Sequence, residues 1–315
     1  MKAKILMLVL ATVLVAGCVG IDIPGAGGIG VGAGNGLEII SFTAEPSSVF
    51  SGNSVRLIME IENRGGTTVP SGLSKVYITG SNYDAWNGDV ASTDYQESIS
   101  QEMRAEDVVR GVPASTKRVS LTLTAPPLSP GQTRNDIFIG RVYHDYNTTA
   151  NGNIWVYGET EAEAARAAGR QIYTPSFTYT KGPVGLSVSV SPTPVVLYGT
   201  DNRFTLYIKI NNLASGTIYH PGSIVYSGNS VGLNMAQINN VSVIINEGTG
   251  LSRAGTECTA ANLLDQELVA GRELTLVCDF TVNTIPSTFQ SYPFDITVKY
   301  GYYTERTTSV TVQGR

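Results

Sequence analysis

One alternation is written twice in this chain, and it limits the fold more than any other feature. Val55, Leu57, Met59 and Ile61 alternate with Arg56, Ile58, Glu60 and Glu62; Phe204, Leu206, Ile208 and Ile210 alternate with Thr205, Tyr207, Lys209 and Asn211. A period of two sends successive side chains to opposite faces of an extended chain, so each stretch reads as a half-buried strand. The flanks repeat as well. Gly36-Leu37-Glu38-Ile39-Ile40-Ser41 is echoed by Gly185-Leu186-Ser187-Val188-Ser189-Val190. Pro46 has its counterpart in Pro192 or Pro194, Gly52 in Gly199, and Asn63 and Gly66 in Asn212 and Gly216. A repeat of roughly 130 residues points to two copies of one module.

The chain has 315 residues, which suits roughly two domains of ~150 residues, each able to bury its own core. Charged residues make up only 15% of the sequence, and Gly, Ser, Thr, Asn and Tyr are frequent, as in turn-rich β-structure. Further alternation at Val119, Leu121 and Leu123 extends the pattern. The segment Asp136–Tyr143, a polar loop at Asn147–Asn153 and Ile154–Tyr157 predict a terminal hairpin in the first copy. Phe294–Tyr300, a polar loop at Thr304–Thr308, and Val310 and Val312 predict the same in the second. Between the copies, ETEAEAARAAGR at Glu159–Arg170 predicts a short helix. Alanine favours it, acids lead it, Arg166 and Arg170 close it, and Gly169 stops it. Its shallow alanine face suits packing on the first domain or spacing the two.

The N-terminus carries a targeting signal. Lys2 and Lys4 precede an apolar run from Ile5, and Leu14-Val15-Ala16-Gly17-Cys18 follows. This stretch resembles the lipobox of prokaryotic lipoproteins, and Gly17-Cys18-Val19-Gly20 is similar to archaeal ones. The resemblance implies removal of residues 1–17 and lipid attachment at Cys18. Two other fates fit the same residues: an uncleaved span over 5–21, near the lower limit for crossing a bilayer, and cleavage without an anchor. All three place the folded part outside the cytoplasm. Residues 18–36 are glycine-rich and read as a tether. Gly25, Gly27 and Gly30 match G-x-G-x-x-G by composition alone, because no strand precedes them and no helix follows.

The layout Leu37-x-Ile39, Pro46, Gly52-x-x-Val55, alternating strand, Asn63-x-Gly65-Gly66 resembles the immunoglobulin-like modules of prokaryotic surface proteins, nearest to the CARDB-type adhesion group. That resemblance implies a β-sandwich. The expected architecture is therefore all-β: two tandem immunoglobulin-like β-sandwiches, at 37–157 and 184–315, with a helical insert and linker at 158–183 and an N-terminal signal and anchor. The first sandwich would lie nearest the membrane.

Chemistry-bearing motifs are few. In an exported protein Cys258 and Cys278 predict a disulfide that fastens a turn-rich loop to a core strand. Tyr83, Asp84, Trp86, Asn87 and Asp89 crowd one loop and make a candidate binding site, with the two rings as a stacking platform. The spacing of its oxygens does not match an EF-hand, so no metal is assigned. Asn147-Thr148-Thr149 and Asn240-Val241-Ser242 are glycosylation acceptor sequences. His144 and His220, the only histidines, accompany no nucleophile elbow, zinc helix or Cys-x-x-Cys pair. No cofactor is expected.

A formal net charge of −5, more negative once Lys2 and Lys4 are removed, lacks the basic stripe that nucleic-acid binding needs. These residues predict a non-catalytic, membrane-anchored adhesive or structural module at the cell surface, with a surface protein or glycan as partner. An alternative is a subunit of a surface filament or envelope assembly, self-assembling by strand donation from Ile21–Gly36. An enzyme-accessory or transport lipoprotein is a third class.

Overall fold

A computed structural model describes residues 34–88, 95–227, 230–233, 235–261 and 263–315. Residues 1–33, with the expected leader, Cys18 and most of the expected tether, lie outside the described residues, as does Asp89. The first half contains β1 (Leu37–Glu45), β2 (Ser48–Phe50), β3 (Ser54–Asn63), β4 (Ser74–Gly80), β5 (Asn87–Gly88), β6 (Tyr95–Ser98) and β7 (Thr116–Thr124). A long β8 (Thr133–Gly158) leads to α1 (Glu159–Ala167) and β9 (Ser176–Tyr179). The second half adds β10 (Val184–Ser191), β11 (Val195–Leu197), β12 (Arg203–Asn212), β13 (Thr217–Tyr219), β14 (Ile224–Ser227), β15 (Ser230–Leu233) and β16 (Asn240–Glu247). It closes with β17 (Leu251–Ala254), β18 (Gln266–Glu267), β19 (Glu273–Val282) and a second long strand, β20 (Phe289–Gln313).

The two alternating stretches of the sequence are β3 and β12. Each is the second strand of an antiparallel four-stranded sheet, in the order β1-β3-β7-β5 in one half and β10-β12-β19-β17 in the other. Their inward residues are buried: Val55, Leu57, Met59 and Ile61 in the first, Phe204, Leu206, Ile208 and Ile210 in the second. Both sheets pack on a third, larger sheet of order β18-β16-β20-β8-β4-β6, so each half is an immunoglobulin-like β-sandwich.

The large sheet differs from the expected tandem arrangement. Neither terminal hairpin forms. β8 and β20 each run unbroken and pair antiparallel from Phe289↔Tyr157 to Gln313↔Thr133. The first part of β8 and the last part of β20 close the first sandwich; the remaining parts close the second. β2 of the first half lies parallel to the end of β20 (Val49↔Val312), and β11 of the second lies parallel to the end of β8 (Val196↔Tyr157). The two halves are thus related by a pseudo-twofold axis through the Asp145–Gly301 pair and exchange their final strands.

The reason lies in the residues read as loops. In Asn147–Asn153 the polar Asn147, Thr149, Asn151 and Asn153 all fall on one face; Thr148 and Ala150 are buried on the other, followed by Gly152 and the buried Ile154. The alternation continues, with small residues inward, and a turn would have exposed Thr148 and Ala150. Composition favoured a turn, and periodicity with burial overrode it.

The helix forms at Glu159–Ala167 and stops as expected. Gly169 takes a φ of 64°, and the Arg170 amide donates to the Ala165 carbonyl at 2.8 Å. It is packed neither on the first domain nor between the two. Ala162 and Ala165 are buried, Ala162 against Tyr157 and Val196 on the β8–β11 end of the second sandwich.

The described chain enters the first sandwich at the end that adjoins the second. Gly36, at a φ of 63°, lies against His144, next to the pseudo-twofold axis. The described chain therefore starts at the waist, where the two halves adjoin.

Candidate binding face

Residues of odd number in β8 and β20 form the outer face of the shared sheet, away from both cores. In the second half this face is a grid of polar side chains. One row crosses four strands: Asn246 of β16, Asp295 of β20, Asn151 of β8 and Thr178 of β9. The next holds Pro293, Asn153 and Ser176. These residues line a cleft of about 640 Å³. Local hydrogen bonds fix several of them. Thr297 Oγ1 donates to Asp295 Oδ1 at 3.2 Å, Ser291 Oγ to Asn153 Oδ1 at 3.3 Å, and Thr178 Oγ1 to the Asn151 carbonyl at 3.1 Å. The exposed Asn151 and Asn246 amides lie in this row, and an amide group offers both donors and acceptors.

The rows end in aromatic rings. Trp155, half-buried, lies 4.9 Å from Tyr173 and 5.8 Å from Phe289 between centroids. Phe289 also packs 5.4 Å from Tyr157, whose hydroxyl accepts the Tyr173 amide at 3.1 Å. Tyr173 stays 46% exposed and Phe289 42%. Through the pseudo-twofold axis, Trp155 corresponds to Thr311 and Asn153 to Ser309. Phe289 likewise corresponds to Thr133, so these two rings have no counterpart in the other copy. An aromatic face carries negative potential and attracts polarised C–H groups. Beside it, amides and a carboxylate can exchange hydrogen bonds with hydroxyls.

The loop singled out in the sequence does something else. Tyr83 and Trp86 are buried and meet Phe138 edge-on at 6.3 and 5.3 Å. Trp86 Nε1 donates to the buried Asp136 Oδ2 at 3.0 Å, and Arg134 pairs with the same oxygen at 2.8 Å. The rings serve the core of the first sandwich, so no stacking platform exists there. Asp84 remains exposed, and Asn87 belongs to β5, on the edge of the first four-stranded sheet. Among the described residues, no group of His, Cys, Asp and Glu is placed to hold a metal.

Cys258 and Cys278 form the expected disulfide, with Cα atoms 5.5 Å apart. Cys278 faces Leu206 in the β12–β19 register, and the bridge ties the loop after β17 to that strand. Arg253 fastens the same loop, donating to the Cys258 carbonyl at 2.9 Å while paired with Glu247 at 2.7 Å.

The acceptor asparagines are not in loops. Asn147 sits mid-strand opposite Lys299, half-buried on the outer face, and the hydroxyl of its acceptor sequence, that of the half-buried Thr149, lies 3.4 Å from Thr180 Oγ1. Asn240 is buried, and its Nδ2 donates to Asp265 Oδ1 at 2.9 Å. Asn240 is therefore not presented for glycan attachment in the folded chain, whereas Asn147 faces outward from the shared sheet. His144 and Asp145, adjacent in sequence, point to opposite faces. His144 is buried at the waist, with its pKa pushed down to about 3 by desolvation. The Asp145 carboxyl is raised by desolvation, an effect opposed by the Gly222 amide and His220.

The aromatic cluster of Trp155, Tyr173 and Phe289 escaped the sequence reading because the three rings come from different segments. The sequence pattern predicts Trp155 in the arm of a hairpin, which does not form. The detectable signal was the alternation of Asn147, Thr149, Asn151, Asn153 and Trp155, which puts all five on one side.

No family model and no curated protein matches this sequence. Among solved structures, a Salmonella alpha-2-macroglobulin mutant overlaps at a TM-score of 0.24 and 9% identity, over 88% of this chain and 16% of that one. The native conformation of E. coli alpha-2-macroglobulin overlaps at 0.23 and 9%, over 88% and 17%. The chain spans about a sixth of those proteins, and likeness at this level carries no functional argument.

Proposed function

We propose that this chain is a membrane-anchored, extracytoplasmic binding module without catalysis, and that it holds a glycan on the outer face of its second sandwich. One observation carries the reading: the polar row Asn246–Asp295–Asn151–Thr178 runs beside the exposed rings around Trp155. A sugar ring matches both parts, with C–H groups for the aromatic faces and hydroxyls for the amides and carboxylate. The disulfide supports an oxidising compartment, and Lys2 to Cys18 supports export and anchoring. The continuous β8–β20 ladder supports a structural part in the same role, because load applied to one half passes through paired strands to the other.

The test is a fluorescence titration with neutral oligosaccharides and purified envelope polysaccharide. The sequence has two tryptophans, and Trp86 is only 4% exposed, so a ligand-dependent change reports Trp155. Trp155→Ala should weaken binding at least about tenfold, with urea unfolding of the variant confirming that it still folds. Absence of binding by calorimetry at millimolar ligand for every polysaccharide tried would refute the glycan.

A further inference from the structure

The waist carries an apolar feature that the outer face does not explain. Between Met103 and Ser115 the chain makes a tight loop closed by two hydrogen bonds between Asp107 and Val112, at 2.9 and 3.0 Å. At its tip Val108 is 78% exposed and Val109 98%. Two neighbouring aliphatic side chains so fully in water are unlike singly scattered apolar residues. The pseudo-twofold axis supplies a counterpart. Asn63 Nδ2 donates to the Met103 carbonyl at 2.7 Å, and Asn212 Nδ2 to the Gly271 carbonyl at 3.3 Å. The loop before β19 is therefore equivalent to the loop before β7, and its Val269 is 71% exposed.

Both loops flank the place where the tether arrives. Gly34, Asn35, Val108 and Leu213 line one furrow, and Leu213 and Val269 line the furrow beside it. This is the inner side of the shared sheet: Gly36 lies against His144, and Gly65 against Tyr146, both inward residues of β8. Trp155 and Asn151 project from the opposite side. Even fully extended, the chain between Cys18 and Gly34 reaches at most roughly 55 Å. An anchor at Cys18 therefore keeps the waist, and the valines beside it, within that reach of the bilayer. The tip is also electrically neutral, because Arg110 donates its amide to Asp107 Oδ1 at 3.0 Å and pairs with that carboxylate at 3.6 Å.

We infer that the Val108–Val109 loop, with Val269 as its counterpart, is a membrane-contact site that seats the waist on the lipid surface and turns the outer face of the sheet outward. The inference rests on the anchored reading of the protein. The apolar area is too small to bind a bilayer unaided, but an anchored chain already has its encounter with the membrane supplied.

The test uses the full-length chain recovered from membranes of the expressing cell and reconstituted in phosphatidylcholine–phosphatidylglycerol vesicles. Val109→Cys, Val269→Cys and, on the outer face, Ile137→Cys each carry an environment-sensitive NBD label; all three positions are exposed. The expected result is a blue shift at 109 and 269, with quenching by spin-labelled lipid at least about threefold stronger than at 137. Equal, weak quenching at all three positions in a chain that floats with the vesicles overturns the loop assignment and leaves the anchor standing. A chain that does not float overturns the anchored reading and this inference together.

Discussion

Tyr146 and Tyr302 make the same hydrogen bond in the two halves of the molecule. The Tyr146 hydroxyl accepts the Thr67 amide at 2.7 Å, and the Tyr302 hydroxyl accepts the Gly216 amide at 2.6 Å. Each ring projects inward from a long strand beside the axis and holds the turn that follows β3 or β12. Burial pushes the Tyr302 phenol up to about 12 and raises that of Tyr146, so both stay protonated at physiological pH. Replacing either with phenylalanine leaves a part-buried amide without its partner. Tyr146→Phe and Tyr302→Phe should each lower stability by about 1–3 kcal/mol, read from urea unfolding. Two unchanged midpoints would show that water replaces the hydroxyl.

His144 gives the protein an acid-sensitive waist. Its Nε2 accepts the Leu37 amide at 3.2 Å, which requires the neutral ring. The unfolded chain takes up a proton here below pH about 6.5, whereas the folded chain does so only near a pKa of about 3. Between those values the unfolded state binds more protons, so stability is complete above about 6.5 and falls as pH drops. This one group contributes a slope of up to about 1.4 kcal/mol per pH unit. His144→Gln should flatten the dependence between pH 7 and 4 relative to the wild type; parallel curves would remove His144 as the cause.

Gly301 sits opposite Asp145 on the axis, and a Cβ there would run into the ring of Tyr219, which is 1% exposed. Gly301→Ala should therefore destabilise by about 1–3 kcal/mol through overpacking. Pairing it with Tyr219→Leu should recover much of that loss. A neutral single substitution would mean that Tyr219 moves freely.

The Cys258–Cys278 bridge closes a sequence separation of 20 residues, and for such a loop chain entropy gives about 3 kcal/mol. Thiol counting on the unreduced, unfolded chain should find neither of these two cysteines free. Reduction should lower the melting temperature without unfolding the protein, since Arg253 still holds the loop through the Cys258 carbonyl and Glu247. Complete unfolding on reduction would show the Arg253 contacts to be insufficient.

Much of the fold was legible where burial and local pattern agree. β3 and β12 announced themselves by a clean period of two, the helix by its alanines and terminal charges, and Asn63 and Asn212 by their place in the repeat. The strand ends were misread where the two signals conflict. Asn147–Asn153 has the composition of a turn but keeps alternating, and its small inward residues give little hydrophobic signal. The loop at Tyr83 and Trp86 was misread for a related reason: nothing local says whether a tryptophan in a polar loop faces water or folds back onto Phe138.

The sequence by itself determined the β-class, the duplication, the disulfide pair and the alternation that gives β8 and β20 two distinct faces, because these follow from period, composition and local chemistry. Only the tertiary structure decided that the halves exchange their last strands, that His144, Tyr146, Tyr300 and Tyr302 meet at the waist, and that Trp155 joins Tyr173 and Phe289. Those outcomes depend on which of two equivalent sheets a strand completes. Continuous pairing along β8 and β20 satisfies backbone groups in both halves at once, a non-local gain that no local stretch of residues displays.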